Sequence, residues 1–140
     1  MKPTKLVVDT SVMVKWYITN KELYVKKAER ILKKAIDNEV ILFTPSLARY
    51  ELGNTLIKRK TDLLSGFDYL ETSYKSPVNI VSETEELALL TYRIAHEYNI
   101  TYYDASFAAL AKLEGATLVT DNPKHQAKVT DIKVIALKDY

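Results

Sequence analysis

Short apolar runs rich in β-branched residues recur along the chain: "LVV" at 6–8, "VILFT" at 40–44, "VNIV" at 78–81, "ATLVT" at 116–120 and "KVIAL" at 133–137. They predict four or five buried strands of a parallel sheet, since strands covered on both faces read as continuous rather than alternating apolar runs. Between them, apolar residues recur at helical spacing, with Ala28, Ile31, Leu32, Ala35 and Ile36 in one stripe and Leu87, Leu90, Ile94 and Tyr98 in another. "TNKE" at 19–22 and "SETE" at 82–85 have capping-box spacing and predict two helix starts. Pro45 is expected to open the helix carrying "SLARYELGNTLIKRK", and Gly66 and "KSP" at 75–77 to punctuate a helical pair after it. Strands alternating with helices imply an α/β fold, a parallel sheet with helices on both faces.

Composition narrows the chemistry. The 140 residues suit one domain, 1–140, with a sizeable core. No cysteine is present, so disulfides, thiolate metal sites and a cysteine nucleophile are excluded, and a cytoplasmic setting is expected. The first apolar run stops at Asp9, too early for a signal segment, and no run approaches the roughly 18 residues of a membrane span. Twenty basic residues against 18 acidic ones make no global case for nucleic acid, so such a case rests on local clusters. Three glycines supply no Gly-rich phosphate loop.

The informative residues are acids at strand ends. Asp9 follows the first run and Asp121 follows "ATLVT", and in parallel α/β sheets ligand sites form outside the carboxyl ends of the strands. Glu51 lies in the helix after the second run, and Asp104 in "YYDASFAALA". Singly each has a structural reading: Asp9 and Asp104 as helix caps or first-turn acids, Glu51 with Asn54 as a solvated helix face, Asp121 with Asn122 and Pro123 as a turn. Jointly they converge. Carboxylates about 4 Å apart repel by about 4 kcal/mol at an effective dielectric near 20, so such a cluster takes up protons or binds cations. With no cysteine and two histidines, the donors suit Mg²⁺ or Mn²⁺ rather than zinc, and metal-assisted phosphodiester hydrolysis follows as the chemistry.

The segments "VVDTSV", "ELGN" within a helix, "YYDASFAALA" and "LVTDN", in this order, resemble the PIN domain family, and within it the VapC-like toxin ribonucleases of type II toxin–antitoxin systems. The resemblance covers residue 6 to about 137. It implies a flavodoxin-like three-layer sandwich with a helical-pair insertion, which 61–74 matches through Leu63, Leu64, Phe67 and Leu70. It also implies that Asp9, Glu51, Asp104 and Asp121 bind Mg²⁺ or Mn²⁺, that Ser11 and Asn54 assist them, and that activated water cleaves RNA to leave a 5′ phosphate and a 3′ hydroxyl. The expected partners are an RNA substrate (tRNA, rRNA or mRNA), a VapB-like antitoxin and a second copy of the chain.

Lys58, Arg59 and Lys60, with Lys124, Lys128 and His125, are candidate RNA contacts, against the plainer reading of solvated helix ends and loops. Trp16 and Tyr17 are read as packing residues, His96 as structural, and Thr10 is left without a role. The alternative from another class is a non-catalytic PIN-like module that binds RNA or a partner in the same groove. A haloacid-dehalogenase-like phosphatase is excluded because Ser11 stands where its second aspartate belongs, and a response-regulator receiver because "VVDTS" has one acid and "VNIVSE" no matching aspartate.

Overall fold

Leu6, Val7 and Val8 are all buried. Successive strand side chains point to opposite faces, so the strand that holds these three is covered on both sides. A computed structural model describes residues 2–140. Five strands, β1 (Thr4–Val8), β2 (Val40–Pro45), β3 (Val78–Val81), β4 (Thr117–Thr120) and β5 (Val134–Ala136), form one sheet in the order β3-β2-β1-β4-β5. Every pairing is parallel, with Leu6 opposite Leu42 on one side of β1 and Leu6 opposite Thr117 on the other. The order reverses between β1 and β4. Asp9 and Asp121 therefore leave neighbouring strands at the switch point, where such sheets open a crevice.

The helices are α1 (Thr10–Met13), which runs on into a 3₁₀ turn at Val14–Trp16, α2 (Val25–Ile36), α3 (Leu47–Lys58), α4 (Leu63–Lys75), α5 (Glu85–Tyr98) and α6 (Tyr102–Glu114). α6 is buried continuously from Ala105 to Ala111 and packs against β1, β2 and β4, with α5 along its side. Four alanines in that stretch allow the close approach, and Phe107, 1% exposed, fills the space between. Gly115, at φ +62°, ends the helix in a left-handed conformation that costs glycine little. The architecture is the expected α/β sandwich, but the helical pair expected over 61–74 is one continuous helix, α4. No helix among the described residues is long and apolar enough to cross a membrane.

Several local expectations are corrected. "TNKE" starts no helix: α2 begins at Val25 after a left-handed Tyr24, and Glu22 is engaged elsewhere. The cap of α5 is Thr84 rather than Ser82, its hydroxyl accepting from the Leu87 amide at 3.1 Å. Pro45 closes β2 and α3 starts at Leu47, because the Pro45 segment is still paired with Val81. Gly66 lies inside α4 rather than at a break, and Leu63, Leu64 and Phe67 on that helix are exposed. Ile36 leaves the α2 stripe, since the core-facing positions are Ala28, Ile31 and Ala35.

Candidate active site

β1 ends where Asp9 caps α1. Its side chain accepts from the Ser11 amide at 3.4 Å, so the cap reading and the site reading apply to one carboxylate. The other Asp9 oxygen accepts from the Thr120 hydroxyl at 2.9 Å, across from the end of β4. Ser11 Oγ accepts from the Asp121 amide at 3.1 Å and thereby ties the β4 exit to α1. On α3, Glu51 accepts from Thr10 Oγ1 at 2.7 Å. Asp104 stands in the first turn of α6, its amide held by the Thr101 hydroxyl. Four elements thus deliver four acids to one cavity of about 350 Å³.

That cavity contains Asp9, Glu51, Asp104, Asp121 and Ser11, as expected, and also His125 and Arg59. Lys58, Lys60, Lys124 and Lys128 are not among its lining residues. Nor is Asn54, which lines a separate cavity with Ser46, Arg49 and Tyr74, beside α4. Three residues advance a helix by about 300° and four by about 400°, so Thr55 and not Asn54 continues the Glu51 face. Thr10 gains the role it lacked, as the hydroxyl that holds Glu51. Trp16 packs as expected, donating to the Ala28 carbonyl at 2.8 Å.

Neither motif nor spacing marks Glu22, Thr120, Gln126 and Lys15 as site residues, yet all four stand at or behind the site. Glu22 brings the lining carboxylates to five. Lys15, 1% exposed, pairs with Glu22 at 2.8 Å and with Asp121 at 3.0 Å. A lysine inside the otherwise apolar "SVMVKWY" was the available signal, because a buried ammonium requires an acidic partner. Gln126 is buried behind the site, its amide donating to the Asp104 carbonyl at 3.3 Å.

The electrostatics favour a cation. Burial pushes the Asp9 carboxyl above the ordinary aspartate range against its hydrogen bonds, and the charge of Asp104 adds to the rise. Burial likewise raises Glu51, with Asp9 and Asp104 contributing. Among the described residues no basic side chain forms an ion pair with Asp9, Glu51 or Asp104. Oxygen donors with no counter-cation suit a hard divalent ion. No three acidic or imidazole side chains among the described residues already stand close enough to grip one ion together. Mg²⁺-type ions commonly use one or two carboxylates and keep several waters, so the donor set fits.

The hydroxyls that orient these acids carry a testable consequence. Thr120→Val removes the donor to Asp9 at nearly constant volume, and a loss of about 10- to 100-fold in Mn²⁺ affinity is expected, as for other groups that orient metal ligands. Titration calorimetry checks it; unchanged affinity would remove Thr120 from the account. A neighbouring cavity of about 230 Å³ between α3, α5 and α6 has Glu83 as its one charged lining residue and offers no comparable chemistry.

Comparison with known proteins supports this topology. The PIN domain family model matches residues 6–132. A toxin–antitoxin complex from Klebsiella pneumoniae superposes with a TM-score of 0.70 at 17% identity, covering 96% of this chain and 99% of the other. A protein of Pyrobaculum aerophilum gives 0.67 at 24% identity, covering 99% and 92%. The sarcin–ricin loop cleaving toxin VapC20 of Mycobacterium tuberculosis gives 0.70 at 14% identity, covering 91% and 98%. These likenesses are of fold. No curated protein matches the sequence significantly.

Proposed function

The chain belongs to the PIN domain family, and from that premise we propose that it is a single PIN domain acting as a metal-dependent endoribonuclease, the toxin of a toxin–antitoxin pair. The observation that carries this reading is the convergence of Asp9, Glu51, Asp104 and Asp121 from four separate elements on one cavity at the sheet's switch point. Asp9, Glu51, Asp104 and Asp121 are the carboxylates from which Mg²⁺ or Mn²⁺ would take its ligands. When bound, such an ion supplies Lewis acidity at the phosphate and lowers the pKa of an attacking water. The protein's part is to fix the acids: Thr120 and the Ser11 amide hold Asp9, Thr10 holds Glu51, and the α6 cap places Asp104. Arg59 and His125 line the same cavity and are the proposed contacts to a phosphodiester backbone.

A VapB-like antitoxin is the proposed partner, supported by solved relatives of this fold that are antitoxin complexes and by the exposed apolar residues Tyr50, Ile57, Leu63, Leu64 and Phe67 on α3 and α4. A homodimer in the cytoplasm completes the proposal, with exposed Leu89 and Tyr92 on α5 as candidate contact residues. Incubation with a tRNA, rRNA and mRNA panel in Mn²⁺, followed by analysis of the product ends, tests the function. Products with a 5′ phosphate and a 3′ hydroxyl are expected. Tight RNA binding without cleavage at any metal concentration would establish the non-catalytic module instead.

The raised carboxyls fix the pH dependence. Asp9 and Glu51 hold protons more readily folded than unfolded, so the metal-free fold loses stability as pH rises through their folded pKa values and regains it as pH falls toward the ordinary carboxylate range. A bound ion must displace the same protons. The Mn²⁺-induced rise in Tm is therefore expected to be larger at about pH 7.5 than at about pH 5.5, with weakening as the raised carboxyls protonate. Thermal melts with and without Mn²⁺ measure it; an increment that grows on acidification would count against carboxylate ligation.

A further inference from the structure

We propose that Lys15 is an internal counter-cation that keeps Asp121 out of the metal's ligand set, so that the ion takes its carboxylate ligands from among Asp9, Glu51 and Asp104 and Asp121 stays clamped to the cavity wall. The proposal rests on the metal-binding reading above and divides its acids into two groups. Lys15 Nζ lies 2.8 Å from Glu22 Oε1 and 3.0 Å from Asp121 Oδ2, and the second Glu22 oxygen takes the Arg59 guanidinium. Asp121, Lys15, Glu22 and Arg59 thus form an alternating chain of two carboxylates and two cations, with no net charge. The other three acids make no ion pair among the described residues, so they are the carboxylates of the cavity left for a divalent ion to pair with.

The clamp is fixed rather than incidental. Lys15 is 1% exposed and belongs to the 3₁₀ turn after α1, whose neighbours Met13 and Val14 are buried and whose Trp16 bonds the α2 backbone. Asp121 is also held by its own amide, through Ser11 Oγ. Burial alone would raise the Glu22 carboxyl, but the hydrogen bonds from Lys15 and Arg59 bring it below the ordinary glutamate range, so it stays charged and retains the lysine. Lys15 is a positioning residue, and Arg59 is anchored at the cavity edge by the same chain.

Mn²⁺ titration of the 140-residue protein by calorimetry separates the two groups without recourse to activity. Asp121→Asn is expected to keep the wild-type Mn²⁺ affinity within about threefold, whereas Glu51→Gln loses about tenfold or more, a contrast of the size set by one charge at close range. Lys15→Met frees Asp121 and is expected to tighten Mn²⁺ binding by about tenfold or add a second ion, and Lys15→Met with Asp121→Asn to restore the wild-type isotherm. If Lys15→Met does not fold, the Asp121→Asn and Glu51→Gln pair decides alone. Equal losses in that pair would overturn the Lys15 assignment and leave the metal-dependent nuclease standing. A wild-type protein that binds no Mn²⁺ would overturn both.

Discussion

Asp9→Asn is expected to lower RNA cleavage by more than about 100-fold, above the range typical of groups that only orient a metal ligand. The substitution keeps shape and an acceptor for the Thr120 hydroxyl, so the cap of α1 and the β1–β4 junction survive. What it removes is charge at the point where β1 and β4 present their carboxyl ends. It also removes one of the repelling carboxylates that raise Glu51. The metal-free variant should therefore melt no lower than wild type near neutral pH, while its Tm rises little on adding Mn²⁺. Loss of cleavage with a preserved metal-free melt separates a site effect from a folding effect. A variant as active as wild type would show that Asp9 is only a cap.

The second large effect is on stability. Phe107→Ala should destabilise the fold by about 3–5 kcal/mol, the range for emptying a buried aromatic site. Phe107 is 1% exposed on α6, the helix that packs against three strands and along α5. Its alanine neighbours at 105, 108 and 109 have no side chain that can reach into the space it leaves. The same helix carries Asp104 three residues earlier, so loosening it moves an acid of the site as well as the core. Urea unfolding measures the loss. A cost near 1 kcal/mol would show that the α6 packing relaxes to fill the space.

The fold was legible because its signals were local and mutually consistent. The five short runs are the five strands of the sheet, with buried residues in β1, β2 and β4 and none fully buried in the edge strands β3 and β5. The acids were legible for a different reason: β1 and β4 end in carboxylates, and parallel topology brings strand ends together whatever the loops do. Glu51 and Asp104 were found with them, as members of an ordered motif set.

The remaining features depended on contacts that spacing alone does not encode. Glu22 has capping-box spacing after Thr19, yet its carboxylate is held by Lys15 and Arg59, a tertiary pairing that outweighs a cap. Asn54 shares a helix with Glu51, but 60° of rotation is enough to turn it toward α4 and another cavity. Thr10 and Thr120 are ordinary strand-end hydroxyls in sequence, and become supports for Glu51 and Asp9 only once β1, β4 and α3 meet. The exposed apolar residues of α4 satisfy a helical period without facing the core, so periodicity located the helix and misplaced its face.

RNA cleavage by the purified protein, stripped of divalent ions with EDTA and then titrated with Mn²⁺, tests the central claim most directly. Cleavage should be absent in EDTA, appear with Mn²⁺ in the wild type, and stay absent at every Mn²⁺ concentration in Asp9→Asn. Cleavage that proceeds undiminished in EDTA, or that Asp9→Asn retains in full, would contradict a nuclease built on this carboxylate site.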